Sequence, residues 1–579
     1  MGEAAAQFLR NQSRLLEEQA AELKEERAVR LALLRAQLWE AGTRRLTMRV
    51  RLATQVGVAV VACVLGTVAA SMIYAAFTSN SVIVSAFKAP AALAARGVTG
   101  DVVATGVLDA LQTLQAATRS ATASLRTVSA WSSDIKIQLP QTGISIGEVD
   151  RLMHERFGHD IRIEGDLVQL DSGALALTVR GDGVPAKRFE GPSGGLGKLT
   201  TQAAEYIYGR SQPFQYAVYL SGQGRDDDAL AFLPGAFAGA DTNEARAQLA
   251  NVWGLTYLDQ AKFALAGAKF RLAMSLKPNY WRAWANLIGA MQGSDGEEAA
   301  WKESRAMLRA VDAAPSGDRP ELRIIGNAAS VTVDMPLLLA SNLEEGKLNG
   351  GVGSSVDGTI AVSIADDYGL MHDPVQAARY LAATDPNDAA AKAAALMLEA
   401  YAAFDRGEPA AAVAPLEKYW AAWQASTDLQ SSALDYPCFL GLAYGMTGRM
   451  ADAEKIFERT GTWSRCFAFH GYVLARAGNI AAASGVWAKG LQAAPDLPHI
   501  YLSRGLDAAA RGDAPGAAAD FAVAHDKAPH WADPLKAWGD ALAKSGHWAE
   551  ALAKYDEAVR YAPNWDALKH ARDLARRKG

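Results

Sequence analysis

The pattern of apolar and polar positions divides this chain into four regions. Residues 1–48 are densely charged, with Leu9, Leu16 and Leu23 recurring every seven positions and Leu31 and Leu38 repeating that spacing in a shifted register. Glu17, Glu18, Glu22, Glu25 and Glu26 interleave there with Lys24, Arg27 and Arg30. This predicts an amphipathic helix able to self-associate as a short coiled coil. From Leu52 to Phe77 no charged residue occurs. That length of Val, Ala, Leu, Gly and Ile suffices to cross a hydrocarbon core of about 30 Å. Residues 80–210 alternate in short runs, and beyond 211 the chain reads as helical.

The uncharged run predicts a transmembrane helix over 50–77. Arg44, Arg45, Arg49 and Arg51 precede it, and the next basic residue is Lys88. This asymmetry predicts a cytoplasmic N-terminus and an extracytoplasmic remainder. The charged stretch ahead of it is too long for the n-region of a cleaved signal. A buried core helix would show a polar stripe.

In the 80–210 region the pattern predicts an α+β domain in the order β-α-β-α-β-β-β-α. Strands are expected at 82–87, 134–139, 160–163, 167–170 and 174–179, the last two joined by a turn at Asp171-Ser172-Gly173. Helices are expected from Asp101 to Thr118, from 147 to 157, and from 196 to 208. Two motifs fail on spacing. His154 and His159 stand five apart across Gly158, whereas a metal-binding helix face needs them four apart. The stretch Gly191 to Lys198 lacks both the glycine six positions before the lysine and the hydroxyl after it that a phosphate loop requires.

The strongest signal lies near the C-terminus. Gly471, Gly505 and Gly539 are 34 apart, as are Gly478, Gly512 and Gly546; Ala483, Ala517 and Ala551; Trp487, Phe521 and Tyr555; and Pro495, Pro529 and Pro563. Small residues let paired helices approach, the second glycine turns the chain, the aromatic fills the gap, and the proline ends the second helix. The period and columns resemble the tetratricopeptide repeat family. The best copies are 464–497, 498–531 and 532–565. A further copy at 247–280 carries Gly254, Ala266, Phe270, Ala273 and Pro278. Fainter ones carry Gly441, Gly448, Ala453 and Phe457; Gly407, Ala412 and Leu416; and Gly224, Ala229 and Leu233. Residues 324–370 depart from the pattern and read as a loop-rich insertion. The final charged helix reads as a cap.

The resemblance implies a mainly α fold: a right-handed α-solenoid of tetratricopeptide helix pairs over 211–577, preceded by one transmembrane helix and the small α+β domain. It implies protein or peptide binding on the concave face, at first-helix positions Asn251, Arg465, Tyr472, Asp533, Lys536 and Asp540. Ala468, Leu502 and Leu506 make part of that groove apolar.

Composition adds constraints. A formal net charge of −5 supplies no global positive field for nucleic acid. Three cysteines exclude a disulfide scaffold and a four-thiolate zinc site. Cys438 and Cys466 read as buried thiols, with pairing as the alternative in an oxidising compartment. No nucleophile elbow, metal spacing or phosphate loop is present, so neither an enzyme nor a cofactor is expected. The reading that follows is a membrane-tethered scaffold. The Ala- and Arg-rich composition points to a GC-rich bacterium and hence to the periplasm. The alternative is a sensor or enzyme with its site in the 80–210 domain.

Overall fold

The computed structural model describes residues 82–124, 137–138, 161–294, 296–348, 358–426, 436–460 and 462–579, with scattered positions between 27 and 67. Most of the N-terminal heptad segment, the expected helix at 147–157 and the His154/His159 pair lie outside the described residues. Of the uncharged run 52–77, residues 55–63 and 66–67 are described and helical, and the rest lies outside the described residues. Among the described residues no helix is long and apolar enough to cross a membrane. This overturns the expected single-pass insertion, and with it the cytoplasmic N-terminus and the periplasmic solenoid.

The chain divides into two compact units, one of residues 1–113 with 129–211 and the other of 114–128 with 212–579. The first contains strands β1 (Val82–Val84), β2 (Ile137–Gln138), β3 (Ile161–Gln169), β4 (Leu175–Gly181) and β5 (Val184–Gly191). Its helices are α1 (Ala91–Ala94), the start of α2 (Gly100–Ser124) and α3 (Leu196–Ser211). The sheet order is β2-β1-β3-β4-β5, with β1 parallel to β2 and β3 and the rest antiparallel.

Two strands expected separately, 160–163 and 167–170, are one strand. A methyl at Gly165 would overlap the Phe87 ring and the Thr178 carbonyl, so glycine admits close approach within the continuous strand. The β3–β4 turn carries Gly173 in the left-handed region, φ +81°. Strand β5 escaped the pattern because it is an edge strand. Pro185 near its start and exposed Lys187, Arg188 and Glu190 erase the alternation while protecting the edge. Gly191 to Lys198 is the end of β5 and the entry to α3.

The second unit is built of helix pairs. They are α4 (Pro213–Gly222) with α5 (Asp226–Gly239), α6 (Asn243–Asp259) with α7 (Phe263–Leu276), and α8 (Trp281–Ser294) with α9 (Glu297–Ala313). Then follow α10 (Gly326–Val331) with α11 (Met335–Leu348), α12 (Gly358–Leu370) with α13 (Pro374–Leu381), and α14 (Ala389–Asp405) with α15 (Pro409–Ala425). The array continues with α16 (Cys438–Met446) and α17 (Met450–Thr460), α18 (Ser464–Arg476) and α19 (Ile480–Ala493), and α20 (His499–Arg511) and α21 (Ala514–Lys527). It ends with α22 (Ala532–Lys544), α23 (Trp548–Ala558) and the terminal α24 (Asp566–Lys578).

The repeat columns have direct structural counterparts. At Gly254, Gly441, Gly471, Gly505 and Gly539 an added methyl would overlap the ring of Phe270, Phe457, Trp487, Phe521 and Tyr555 respectively. In each case the ring lies sixteen residues further along and fills the space the glycine leaves. The turn column is a left-handed residue closing the first helix of a pair. Gly224, Gly407, Gly448, Gly478, Gly512 and Gly546 all have positive φ. The next N–H bonds the carbonyl five residues back, as in Arg225 to Leu220 and Asp513 to Ala508.

The same turn recurs where the repeat pattern had faded, at Ala261, Val333 and His372, with φ of 54°, 57° and 60°. Lys262 N–H bonds Tyr257, Asp334 bonds Ala329, and Asp373 bonds Tyr368. Within 324–370, expected as a loop-rich insertion, the described residues are largely helical, over α10, α11 and α12, while the glycine-rich stretch behind that expectation, 349–357, lies outside the described residues. The pattern disappeared because valine and histidine occupy turn positions that are glycine elsewhere. A β-branched residue at positive φ is costly, on the order of 1–3 kcal/mol.

Cys438 of α16 and Cys466 of α18 form a disulfide, with Cα atoms 5.2 Å apart. It joins the first helices of adjacent pairs inside a core containing Tyr401, Leu440 and Phe457.

Candidate functional site

Two cavities are lined mainly by first helices of the pairs, with α11 adding to the wall of the first. The first, about 450 Å³, is polar. Its walls include Arg282 and Asn286 of α8, Asn342 of α11, Asp366 and Asp367 of α12, Arg465 of α18 and His499 of α20. The second, about 330 Å³, is largely apolar. Phe404 of α14, Phe439 of α16, Phe469 and Tyr472 of α18, and Leu502 and Leu506 of α20 line it. Val333, Met335, Leu370, Arg465 and His499 belong to both walls.

The polar cavity contains built hydrogen bonding. Tyr436 Oη donates to Asp366 Oδ2, and Tyr401 Oη donates to Oδ1 at 3.4 Å. Asn342 Nδ2 donates to Asp367 Oδ2 at 2.7 Å. Burial pushes the Asp367 carboxyl well above its usual range, against that hydrogen bond and with the neighbouring Asp366 charge. A carboxyl held neutral can donate a proton as well as accept one.

His499 is buried, and burial followed by the Arg465 charge pushes its imidazole well below the usual range. Its tautomer follows from its partners. The Ser464 hydroxyl spends its proton on Glu297 Oε1 at 3.0 Å, because a carboxylate only accepts. The 3.3 Å contact from Ser464 Oγ to His499 Nδ1 therefore has the imidazole as donor. Nε2 is then the bare acceptor, buried and without a hydrogen-bond partner among the described residues.

His372 behaves oppositely. From its left-handed turn it reaches Asp405 at 2.6 Å through Nδ1 and Asp533 at 3.4 Å through Nε2. Its ring lies flat on Trp565, with centroids 3.6 Å apart. Burial opposes the charge, but the two carboxylates outweigh it and raise the imidazole to about 9. Because the folded value exceeds the ordinary 6.5, this contribution is complete below pH about 6.5 and is lost as pH rises through about 9. Chemical denaturation between pH 6.5 and 10 therefore shows falling stability, and His372→Gln flattens that dependence. An unchanged slope in the variant would refute the assignment.

Of the groove residues expected from the sequence, Arg465, Tyr472 and Asp533 line the apolar cavity, as do Ala468, Leu502 and Leu506. Asn251, Lys536 and Asp540 do not line either cavity. Asn251 is buried and accepts a hydrogen bond from Asn286 at 3.0 Å. Lys536 pairs with Asp540 at 2.7 Å, and Asp540 accepts from Tyr555 at 2.8 Å. The sequence reading missed Val333, His372 and His499, and set Asp366 and Asp367 aside as isolated acids. The available signal was the turn spacing: 333, 372 and 407 continue the repeat at intervals near its period.

Residues 532–565 match the family model of the tetratricopeptide repeat. No curated protein matches the chain. Among solved structures, the chain is similar to the crystal structure of the APC/C hetero-tetramer Cut9–Hcn1, at 13% identity over 66% of this chain and 80% of that one, with a TM-score of 0.36. It is also similar to the crystal structure of yeast Tom70, at 10% identity over 62% of this chain and 94% of that one, with a TM-score of 0.28. The matched repeat supports a protein-interaction scaffold.

Proposed function

We propose that the second unit is a polypeptide-binding scaffold whose first-helix face receives a segment of a partner protein. The observation that carries this is the apolar cavity. Side chains from α14, α16, α18 and α20, four successive first helices, line one space, with Phe439 set between Phe404 and Phe469 on its wall. Aromatic and aliphatic walls accept apolar side chains, while Arg465 and His499 stand where this cavity adjoins the polar one. Asp533 and Tyr472 stand on the same wall.

The test is selection from a displayed peptide library against the full chain, followed by titration of the selected peptides. Leu502→Asp and Leu506→Asp should each weaken binding at least tenfold, about 1.4 kcal/mol. The control Lys489→Glu, on the second helix α19, should leave it unchanged. Selected peptides that bind the Leu502 and Leu506 variants as tightly as the parent would place the binding surface elsewhere.

A further inference from the structure

The second unit is closed by contacts between residues far apart in sequence. Glu297, the first residue of α9, accepts from the Ser464 backbone N–H at 2.5 Å and from its hydroxyl at 3.0 Å. It thereby caps α18 from outside that helix, satisfying a donor that a helix start leaves free. Glu298 Oε2 accepts from the Asp496 N–H at 3.0 Å. Asp334 Oδ2 meets His530 Nδ1 at 2.7 Å, and Asp373 Oδ2 accepts from Asn564 Nδ2 at 2.6 Å. These partners lie between 167 and 198 residues apart. Beside them Val333 and Met335 pack on Ala528 and Trp531, and His372 stacks on Trp565.

A second, independent observation marks the same seam. Among the described residues, three turns of the left-handed type lack glycine, and two of them, Val333 and His372, are the turns that reach across. Their side chains accept an unfavourable backbone conformation and make long-range contacts that glycine could not. These two residues also stand on the walls of the cavities. The seam thus lies along the cavities and joins residues 297–373 to the last repeats.

We propose that this seam is a releasable clasp: the last repeats carry a carboxylate-accepting ridge occupied by the chain's own Glu297, Glu298, Asp334 and Asp373, and the cavities admit a partner polypeptide only when that occupancy is given up. The clasp rests on the binding function proposed above for its consequence, but its opening is measured without any partner. The hydrogen bonds of the seam are exposed or only part-buried and flank one small apolar cluster of Val333, Met335 and Ala528, which is the kind of interface that opens before the repeats unfold.

Turn-compatible substitutions separate clasp from fold. Val333→Gly and His372→Gly install the residue that six equivalent turns already use, so the helix pairs persist while the cross-contacts vanish. Glu297→Ala with Glu298→Ala removes the two caps without touching a turn. Backbone hydrogen exchange at Ser464 and Asp496 reports the seam, and 1,8-anilinonaphthalenesulfonate reports access to the apolar cavity. The expected result is at least tenfold faster exchange at both amides, raised dye binding and unchanged helical circular dichroism. Asp334→Cys with His530→Cys, crosslinked by a short bis-maleimide, should suppress dye binding below the parent level. Unchanged exchange, or faster exchange without greater dye access, would overturn the clasp, as would a crosslinked variant that binds dye like the parent. A clasp that opens while no library peptide binds would instead refute the polypeptide-binding reading and leave the clasp standing.

Discussion

Replacing Phe521 with alanine lowers the stability of the C-terminal helix pairs by about 3–5 kcal/mol, the range for truncating a fully buried aromatic. The ring is completely buried. It lies against Gly505 and packs with Ala508, Ala517, Leu502, Leu506 and Trp538. Because Gly505 has no side chain, nothing can move in to fill the void, and collapse would require α20 and α21 to shift together. Stability in a stacked array is a sum of pair and neighbour terms, so the damage is local. Native-state hydrogen exchange should show lost protection across α20 to α23 and unchanged protection in α6 and α7. A loss spread evenly over the unit, or one below about 1 kcal/mol, would contradict this account.

Removing the Cys438–Cys466 disulfide is the second large effect. The bridge closes a loop of 28 residues in sequence separation. Chain-entropy reasoning assigns such a loop about 3.5 kcal/mol through restriction of the unfolded chain. Both cysteines are buried beside small and aromatic neighbours, so Cys438→Ala with Cys466→Ala removes the link while changing little apolar volume. Denaturant unfolding of the double variant should show this loss. Parent protein under reductant should unfold like the variant. Equal stability of parent and variant, with intact-mass analysis showing the parent two hydrogen atoms lighter than its reduced form, would show that the link contributes nothing.

The C-terminal repeats were legible because their chemistry is repeated at fixed spacing. A glycine facing an aromatic sixteen residues later, and a glycine at each turn, are local requirements of one helix pair, and each pair states them again. Residues 297–373 obey the same geometry but satisfy different neighbours. Val333 and His372 pack on Ala528, Trp531 and Trp565, and the sequence carries no mark of such distant partners. Likewise Glu297 reads as an ordinary acid in a helix first turn until Ser464 is brought against it. Strand β5 was lost for a related reason, since an edge strand bears solvent-facing charges in place of alternation.

The uncharged run at 52–77 shows the opposite error. Hydropathy is a property of composition, whereas spanning a bilayer also requires continuous helix of sufficient length, and no described helix provides it. The sequence by itself determined the helix pairs, their turns and the small-against-aromatic contacts within each pair, because those depend on residues within one repeat. Only the tertiary structure decided which first-helix residues face a cavity and which are consumed internally. It alone decided that Asn251, Lys536 and Asp540 are spent on neighbours, that His499 is neutral while His372 is charged, and that residues 297–373 close onto the last repeats. Those outcomes depend on burial and on partners far away in sequence, where local periodicity carries no information.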